Sequence, residues 1–339
     1  MIRFENDYTR GTHPRILQRL VETNEMQTAG YGTDEVCQSA AELIKKACDQ
    51  PAADVHFIVS GTLTNLTIIS SILRPHEAVI APETGHIAVA ETGAIEATGH
   101  KIITIPTITG KITAVEIREV LEKPDNVHSP RPGMIFISQS TELGGFYNKA
   151  ELTAIYQVAT EFQVPLFIDG ARLGYALAAV DCDLTLAELA ALCDIFYIGG
   201  TKVGALFGEA VVITNDNLKR DFRYLMKQRG ALFAKGRLLG LQFEELFKDG
   251  LYNEIGEYAV QLSQKIKNVL AELKIPLAYP APTNQLFIAF TAVQFAKISE
   301  KYTLAPWERR DGLVVARLCT DWSTRTEDVE AFIADLRLL

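Results

Sequence analysis

No stretch of this sequence approaches the roughly 20 consecutive apolar residues that a membrane-spanning helix requires. The opening segment, MIRFENDYTRGTHP, lacks a long apolar core and carries acids early, so it is not expected to be a secretory leader. Positive charge is short as well: 33 lysines and arginines against 42 aspartates and glutamates leave a formal net charge of −9. That balance argues against a nucleic-acid or anionic-membrane surface, which needs a local cationic excess, although a basic pocket for one phosphate remains compatible with it. The five cysteines are odd in number and show no CxxC spacing, so reduced, packed thiols and a cytoplasmic location are expected. No HxH or HExxH pattern is present among the six histidines, and no metal site is expected. Internal repeats, low-complexity segments, heptads, GxGxxG and Walker sequences are all missing.

What remains is an ordinary globular composition, 48% hydrophobic and 22% charged, over 339 residues. This length exceeds the usual single core and suggests one large and one smaller domain. From about residue 40 to 215 the pattern alternates helix-like and strand-like segments, among them VHFIV, AVIAP, KIITIP, GMIFIS, PLFID, DIFYI and AVVIT as strands. The stretches TLTNLTIISSIL, with Leu63, Leu66, Ile69 and Leu73 on one face, and IAVAETGAIEATG read as helices. Such alternation predicts an α/β fold with a mostly parallel sheet covered on both faces. The proline-rich stretch at 124–133 reads as a surface loop. We place an N-terminal arm at 1–14, a large α/β domain at 15–247 and a small C-terminal α+β domain at 248–339. In the last of these, QLFIAF and LVVARLCT are strands, and Thr326 with Glu327 and Asp328 opens a final helix.

Chemistry-bearing residues gather at strand ends, where open α/β sheets bind ligands. Lys202 follows the apolar run Ile195–Ile198, and Asp169 ends PLFID. An amine and a carboxylate on neighbouring strand ends are what pyridoxal phosphate needs, one for a Schiff base and one for the ring nitrogen. In SGTLTN, Gly61 and Thr62 open a helix whose free amides suit a phosphate; an ordinary capped turn reads the same way. His86 follows AVIAP and could stack on a flat ring or take a proton, though a lone histidine is more often a satisfied surface residue. Arg172, in DGAR, could hold a carboxylate or a ring hydroxyl, or simply pair with Asp169. Arg317 sits among apolar residues in VVARLCT and needs a buried partner, either a substrate carboxylate or a structural acid.

Taken together, NDYTRGTHP, GYGTD, SGTLTN, GHIAVAETGA, FIDGARL, GGTKVGA and ARLCTDW resemble the threonine aldolase group of the β-eliminating lyases. These are fold type I, aspartate aminotransferase-like enzymes dependent on pyridoxal 5′-phosphate. The resemblance spans nearly the whole chain, and FIDGARL with GGTK at this spacing is its most specific part. It implies that Lys202 forms the Schiff base, Asp169 pairs with the pyridinium, and His86 stacks over the ring. It further implies that Gly61 and Thr62 bind the phosphate while Arg172 and Arg317 hold the substrate carboxylate. Tyr31 would come from a neighbouring subunit of a homodimer or homotetramer with shared active sites. Asn6 stands where the family has a small hydroxyl residue before an aspartate, and Lys235, favoured over Arg229, would be the basic phosphate contact. The family's Asn-Thr-His sequence has no counterpart here; Glu142, in SQSTELGGFYN, occupies the place of its histidine. The implied reaction is retro-aldol cleavage of a β-hydroxy-α-amino acid to glycine and an aldehyde. The alternatives are β-elimination or transamination on the same scaffold, or a non-catalytic nucleotide-binding module.

Overall fold

The computed structural model describes residues 1–124 and 126–339. A short strand, β1 (Ile2–Arg3), opens the chain. Seven strands then build the main sheet: β2 (Asp54–Ile58), β3 (Glu77–Pro82), β4 (Lys101–Ile105), β5 (Arg131–Ser138), β6 (Leu166–Asp169), β7 (Ile195–Gly199) and β8 (Glu209–Ile213). Their order is β2-β8-β7-β6-β5-β3-β4, with β8 antiparallel to both neighbours and the remaining pairs parallel. The expected mostly parallel sheet is therefore present.

The apolar runs explain why this sheet is central. Strands β6 and β7 are buried along their whole length, as strands sandwiched between helices must be. Alternation sends Ile137, Ile168, Phe196 and Ile198 into a core beneath the helices Glu35–Ala47, Lys149–Glu161 and Leu251–Glu272. It sends Phe136, Phe167, Tyr197 and Val211 to the opposite face, against Gly61–Ile72 and Phe222–Gln228. Truncating Phe167 or Phe196 to alanine would cost about 3–5 kcal/mol, because close-packed neighbours on both sides cannot collapse into the space.

Beyond the main sheet, β9 (Gln285–Phe290), β10 (Tyr302–Thr303), β11 (Ala305–Arg310) and β12 (Leu313–Cys319) follow. Strands β11, β12 and β9 form an antiparallel sheet in that order, while β10 pairs with β1. The N-terminus is thus stitched into the C-terminal layer, and Phe4 packs with Tyr302 and Phe332 in its core. Helix Leu251–Glu272 serves both layers: Ile255 and Ala259 face the large core, Ile266 and Leu270 the small one.

Two local details depart from the sequence reading and two extend it. IAVAETGAIEATG forms only the turn of helix His86–Val89 and a 3-10 turn, Glu96–Thr98, because Thr92 and Gly93 take left-handed φ values of 52° and 72°. Gly61–Ile72 packs the expected face, with Ile69 and Leu73 buried and Leu63 and Leu66 half-buried against the core, and it also buries Thr64, Asn65 and Thr67. Strand β11, APWERR, went unread because it is half exposed and opens with a proline next to its first residue. The last helix opens at Thr326 with Glu327 and Asp328 in its first turn, as expected, and Arg325 pairs with Asp328. No helix among the described residues is long and apolar enough to cross a membrane.

Candidate active site

Register brings the chemistry together. Ser138 pairs with Asp169 across β5 and β6, while Glu209 pairs with both Gly199 and Ile58. The carboxyl ends of β2, β5, β6 and β7 therefore meet the amino end of β8 at one level. Two glycines allow the closest approach: a Cβ on Gly170 would lie 1.8 Å from the Tyr197 carbonyl oxygen, and one on Gly199 would lie 2.4 Å from that of Ala171. Any other residue would force the Asp169 turn away from the lysine strand. A cavity of about 430 Å³ opens here, lined by Gly61, Thr62, His86, Asp169, Arg172 and Lys202 among others. It is continuous, through His86, Glu142, Arg172 and Lys202, with a wider mouth that reaches Trp307 and Arg317.

Lys202 is held at its backbone, where the Tyr175 hydroxyl donates to its carbonyl at 2.5 Å. Its Nζ makes no hydrogen bond or ion pair among the described residues. Burial, then the Arg172 charge, lowers its pKa; Asp7, Asp169 and Glu209 act in the opposite sense.

Asp169 is buried and fully partnered. It accepts from the Tyr197 hydroxyl at 2.5 Å, the Ala171 amide at 3.0 Å and Asn65 Nδ2 at 3.2 Å. Asn65 Nδ2 also donates to Glu91 at 2.7 Å, and Glu91 in turn meets His86 Nδ1 at 2.7 Å. A continuous polar chain, His86–Glu91–Asn65–Asp169–Tyr197, therefore crosses the floor of the site. The Glu91 hydrogen bond raises the His86 pKa, against burial, which lowers it.

Glu142 Oε1 accepts from the Ser138 hydroxyl at 2.6 Å and from the His86 amide at 2.9 Å. Its Oε2 is buried without a partner. Burial raises this carboxyl's pKa, the Ser138 bond opposes the rise, and the Asp169 charge adds to it.

Gly61 and Thr62 begin a 12-residue helix whose N-cap, Ser60, gives no side-chain hydrogen bond. Amides at such an end are free to bind an anion.

The arginines differ from each other. Arg172 does not pair with Asp169. Its Nε and Nη2 are taken by Asp7 at 2.6 and 2.9 Å, and Asn284 also donates to Asp7 at 3.0 Å. Burial alone would raise the Asp7 pKa, but Arg172 and Lys202 bring it down to about 2. Arg317 donates through Nη2 to the Glu5 carbonyl at 3.1 Å and lies 5.4 Å from the Trp307 ring centre, while its Nε has no partner.

Three expected residues are not part of this chain's cavity. Asn6 turns back to accept from the Tyr8 amide at 3.0 Å and lines a separate groove with Phe4 and Arg10; its neighbour Asp7, fully buried, is the residue that reaches Arg172 behind the cavity wall. Tyr31 lies 4.3 Å below Lys227 Nζ, beside a different cavity lined by His56 and Arg223. Lys235 is exposed ahead of helix Arg237–Lys248 and lines neither part of the site, and the same holds for Arg229. Asp7, Asn65, Glu91, Tyr197, Thr201 and Glu209 were not anticipated. Asn65 closes the quoted SGTLTN turn four residues after Gly61, so helical spacing could have flagged it; Glu91 lies beyond the His86–Val89 turn and carries no such signal.

These residues suit pyridoxal phosphate. An unpartnered lysine amine faces a carboxylate fixed by three donors, with free helix amides at the far end of a cavity in the size range of cofactor pockets. Lys202 would carry the cofactor, Asp169 would meet its ring nitrogen, and Gly61 and Thr62 its phosphate.

Residues 6–293 match the family model described as Beta-eliminating lyase. The chain is 32% identical to a low specificity L-threonine aldolase of Pseudomonas sp. (strain NCIMB 10558), over 98% of this chain and 96% of the relative. It is 28% identical to the corresponding protein of Pseudomonas aeruginosa, over 99% and 97%. The solved threonine aldolase of Leishmania major superposes with a TM-score of 0.98 at 45% identity, covering 100% of this chain and 99% of that one. Aspartate aminotransferase from Thermus thermophilus, with a TM-score of 0.74 at 13% identity over 100% and 92%, shares the fold. The chain thus belongs to the beta-eliminating lyase family, as a fold type I, pyridoxal-phosphate-dependent lyase.

Proposed function

We propose that this lyase cleaves β-hydroxy-α-amino acids, with threonine and allo-threonine as the reference substrates, to glycine and an aldehyde. The observation that carries the reading is the placing of Glu142 and His86 across the cavity from the Lys202–Asp169 pair, in a chain whose full-length relatives are named threonine aldolases. When bound, pyridoxal phosphate supplies an electron sink for a bond broken at Cα. Asp169, with its three donors, would hold a proton on the ring nitrogen and so keep that sink positive. His86, anchored by Glu91, would lie against the ring. Arg317, with an unpartnered Nε, binds the substrate carboxylate, and Arg172 assists from the position that Asp7 fixes. Together they set the Cα–Cβ bond where it can break. Glu142 Oε2 takes the proton from the β-hydroxyl, and the C–O bond becomes a carbonyl as Cα–Cβ opens. The proton taken from the hydroxyl is returned to Cα in place of the broken bond, which balances the cleavage, and the fragment leaves as glycine.

Products decide the matter. Purified protein loaded with pyridoxal phosphate and given L-threonine should release glycine and acetaldehyde in equal amounts. A keto acid with ammonia would establish β-elimination instead, and a pyridoxamine form of the cofactor would establish transamination.

We also propose a cytoplasmic homodimer or homotetramer in which Tyr31 and Lys235 serve the neighbouring subunit's site. Their distance from this chain's own cavity and the irregular course of residues 23–34 support the sharing, and five free cysteines support the compartment. Sedimentation analysis should give a dimer or tetramer; a monomer with full activity would refute the shared site. The division into 1–14, 15–247 and 248–339 stays a working one, to be tested by limited proteolysis near the Asp249–Gly250 break between two helices.

A further inference from the structure

Glu209 lies in the same cavity and takes no part in the scheme above. It is the first residue of β8, so it enters the site from a strand running against its neighbours. Its register partners are Ile58, just before the Ser60–Thr62 turn, and Gly199, three residues before Lys202. One carboxylate oxygen accepts from the Gly200 amide at 3.0 Å and the other from the Thr201 hydroxyl at 2.8 Å. Thr201 Oγ1 in turn accepts from the Gly208 amide at 3.0 Å. Both of the carboxylate's donors thus sit on the two residues that lead into Lys202.

A structural role alone accounts poorly for an acid here. Glu209 is only 4% exposed, and a buried carboxylate is costly unless a charge compensates it; a glutamine would satisfy much the same donors without that cost. The compensating charge is at hand in Lys202, on the same cavity wall and without a direct ion pair to Glu209. Burial raises the pKa of the Glu209 carboxyl, Thr201 and the Lys202 charge pull it down, and Asp169 adds to the rise. The other ionisable groups facing it are Tyr197 on β7 and Tyr252 on helix Leu251–Glu272. From β2 it meets the apolar Ile58.

We propose that Glu209 is a positioning residue for Lys202. It fixes the Gly200–Thr201 segment so that the amine enters the cavity, and its charge sets how firmly the lysine nitrogen keeps its proton once joined to the cofactor. The proposal rests on Lys202 being the cofactor-bearing lysine.

The test compares the holoenzymes of the wild type, Glu209→Gln and Glu209→Asp by titrating the visible absorbance of the lysine-linked cofactor against pH. Loss of the negative charge should move the midpoint of the glutamine variant down by about one pH unit. The aspartate variant should fall between it and the wild type. Thermal melting of the glutamine variant should be unchanged or higher, since a neutral amide is cheaper to bury. A glutamine variant with the wild-type midpoint overturns the proposal whatever its activity, as does an aspartate variant that titrates like the glutamine one. If the glutamine variant fails to fold, the aspartate variant alone decides: an unmoved midpoint overturns the proposal and a lowered one supports it. A wild-type protein without lysine-linked absorbance overturns the Lys202 assignment itself, so the two failures are told apart.

Discussion

The Asp169 and Glu142 carboxylates, one in each half of the active site, are held in different ways. In the cofactor half, Asp169 has three donors and Asn65 joins it to Glu91, leaving that wall fixed before anything binds. In the substrate half, Glu142 Oε2 and Arg317 Nε are buried without partners among the described residues; Asn65 Oδ1 and Glu91 Oε2 share that state behind Asp169, so the contrast lies in the groups that face the cavity, not in every atom of each wall. Unpaired buried polar atoms are expensive, on the order of 1–3 kcal/mol each, and few are retained without a use. The contrast shows where the protein holds a permanent guest in a prebuilt frame and where it keeps bonding capacity for a substrate that comes and goes.

The comparison can be broken from either side. On the cofactor side, Asp169→Ala should lower kcat/KM by about 10³-fold and weaken cofactor retention, because a buried charge-assisted contact to the ring is lost. Steady-state kinetics and dialysis of the holoenzyme would show it; near-normal turnover would mean that the wall is scaffolding only. On the substrate side, Glu142→Gln should lower kcat by about 10²-fold. Since Glu142 must be deprotonated to accept the hydroxyl proton and its pKa is raised, wild-type activity should fall as pH drops through that raised value. The glutamine variant should lose that limb of the pH profile, and a profile that keeps it would point to another base.

The Asp7–Arg172 pair lies between the two halves and should govern acid stability. Asp7 is lowered from 3.8 to about 2, so its contribution is fully present above the unfolded value and lost as pH falls through the folded one. That window should cost roughly 2 kcal/mol, measurable by urea unfolding at stepped pH. The smallest effect is expected at Arg317→Ala: KM up about tenfold with kcat less changed, as befits one exposed-side carboxylate contact.

The sequence made the cofactor half readable because its parts are local. Lys202, Asp169, His86 and the Gly61–Thr62 turn each follow an apolar strand directly, so a linear pattern of strand and polar tip suffices. The residues that brace them were hidden by topology. Asn65 and Glu91 look like an ordinary helix residue and a solvated acid until the helix is laid across the sheet, and Glu209 needs the antiparallel direction of β8 to reach the lysine. For Arg172 a pair with its near neighbour Asp169 was one alternative to holding a carboxylate, whereas the acid that binds it, Asp7, is 165 positions away in sequence. Asn6 was one residue off for the same reason: only the pairing of β1 with β10 fixes which side chain of the arm turns inward. Fold class was legible because the buried runs of β6 and β7 admit few arrangements; β11, half exposed, was not.

The most direct test of the central claim is chemical. The protein, loaded with pyridoxal phosphate, is reduced with borohydride, digested and mapped by mass spectrometry. The account predicts a single pyridoxyl-labelled peptide with the label on Lys202, absent in Lys202→Ala. A label on another lysine such as Lys235, or none at all, would contradict it.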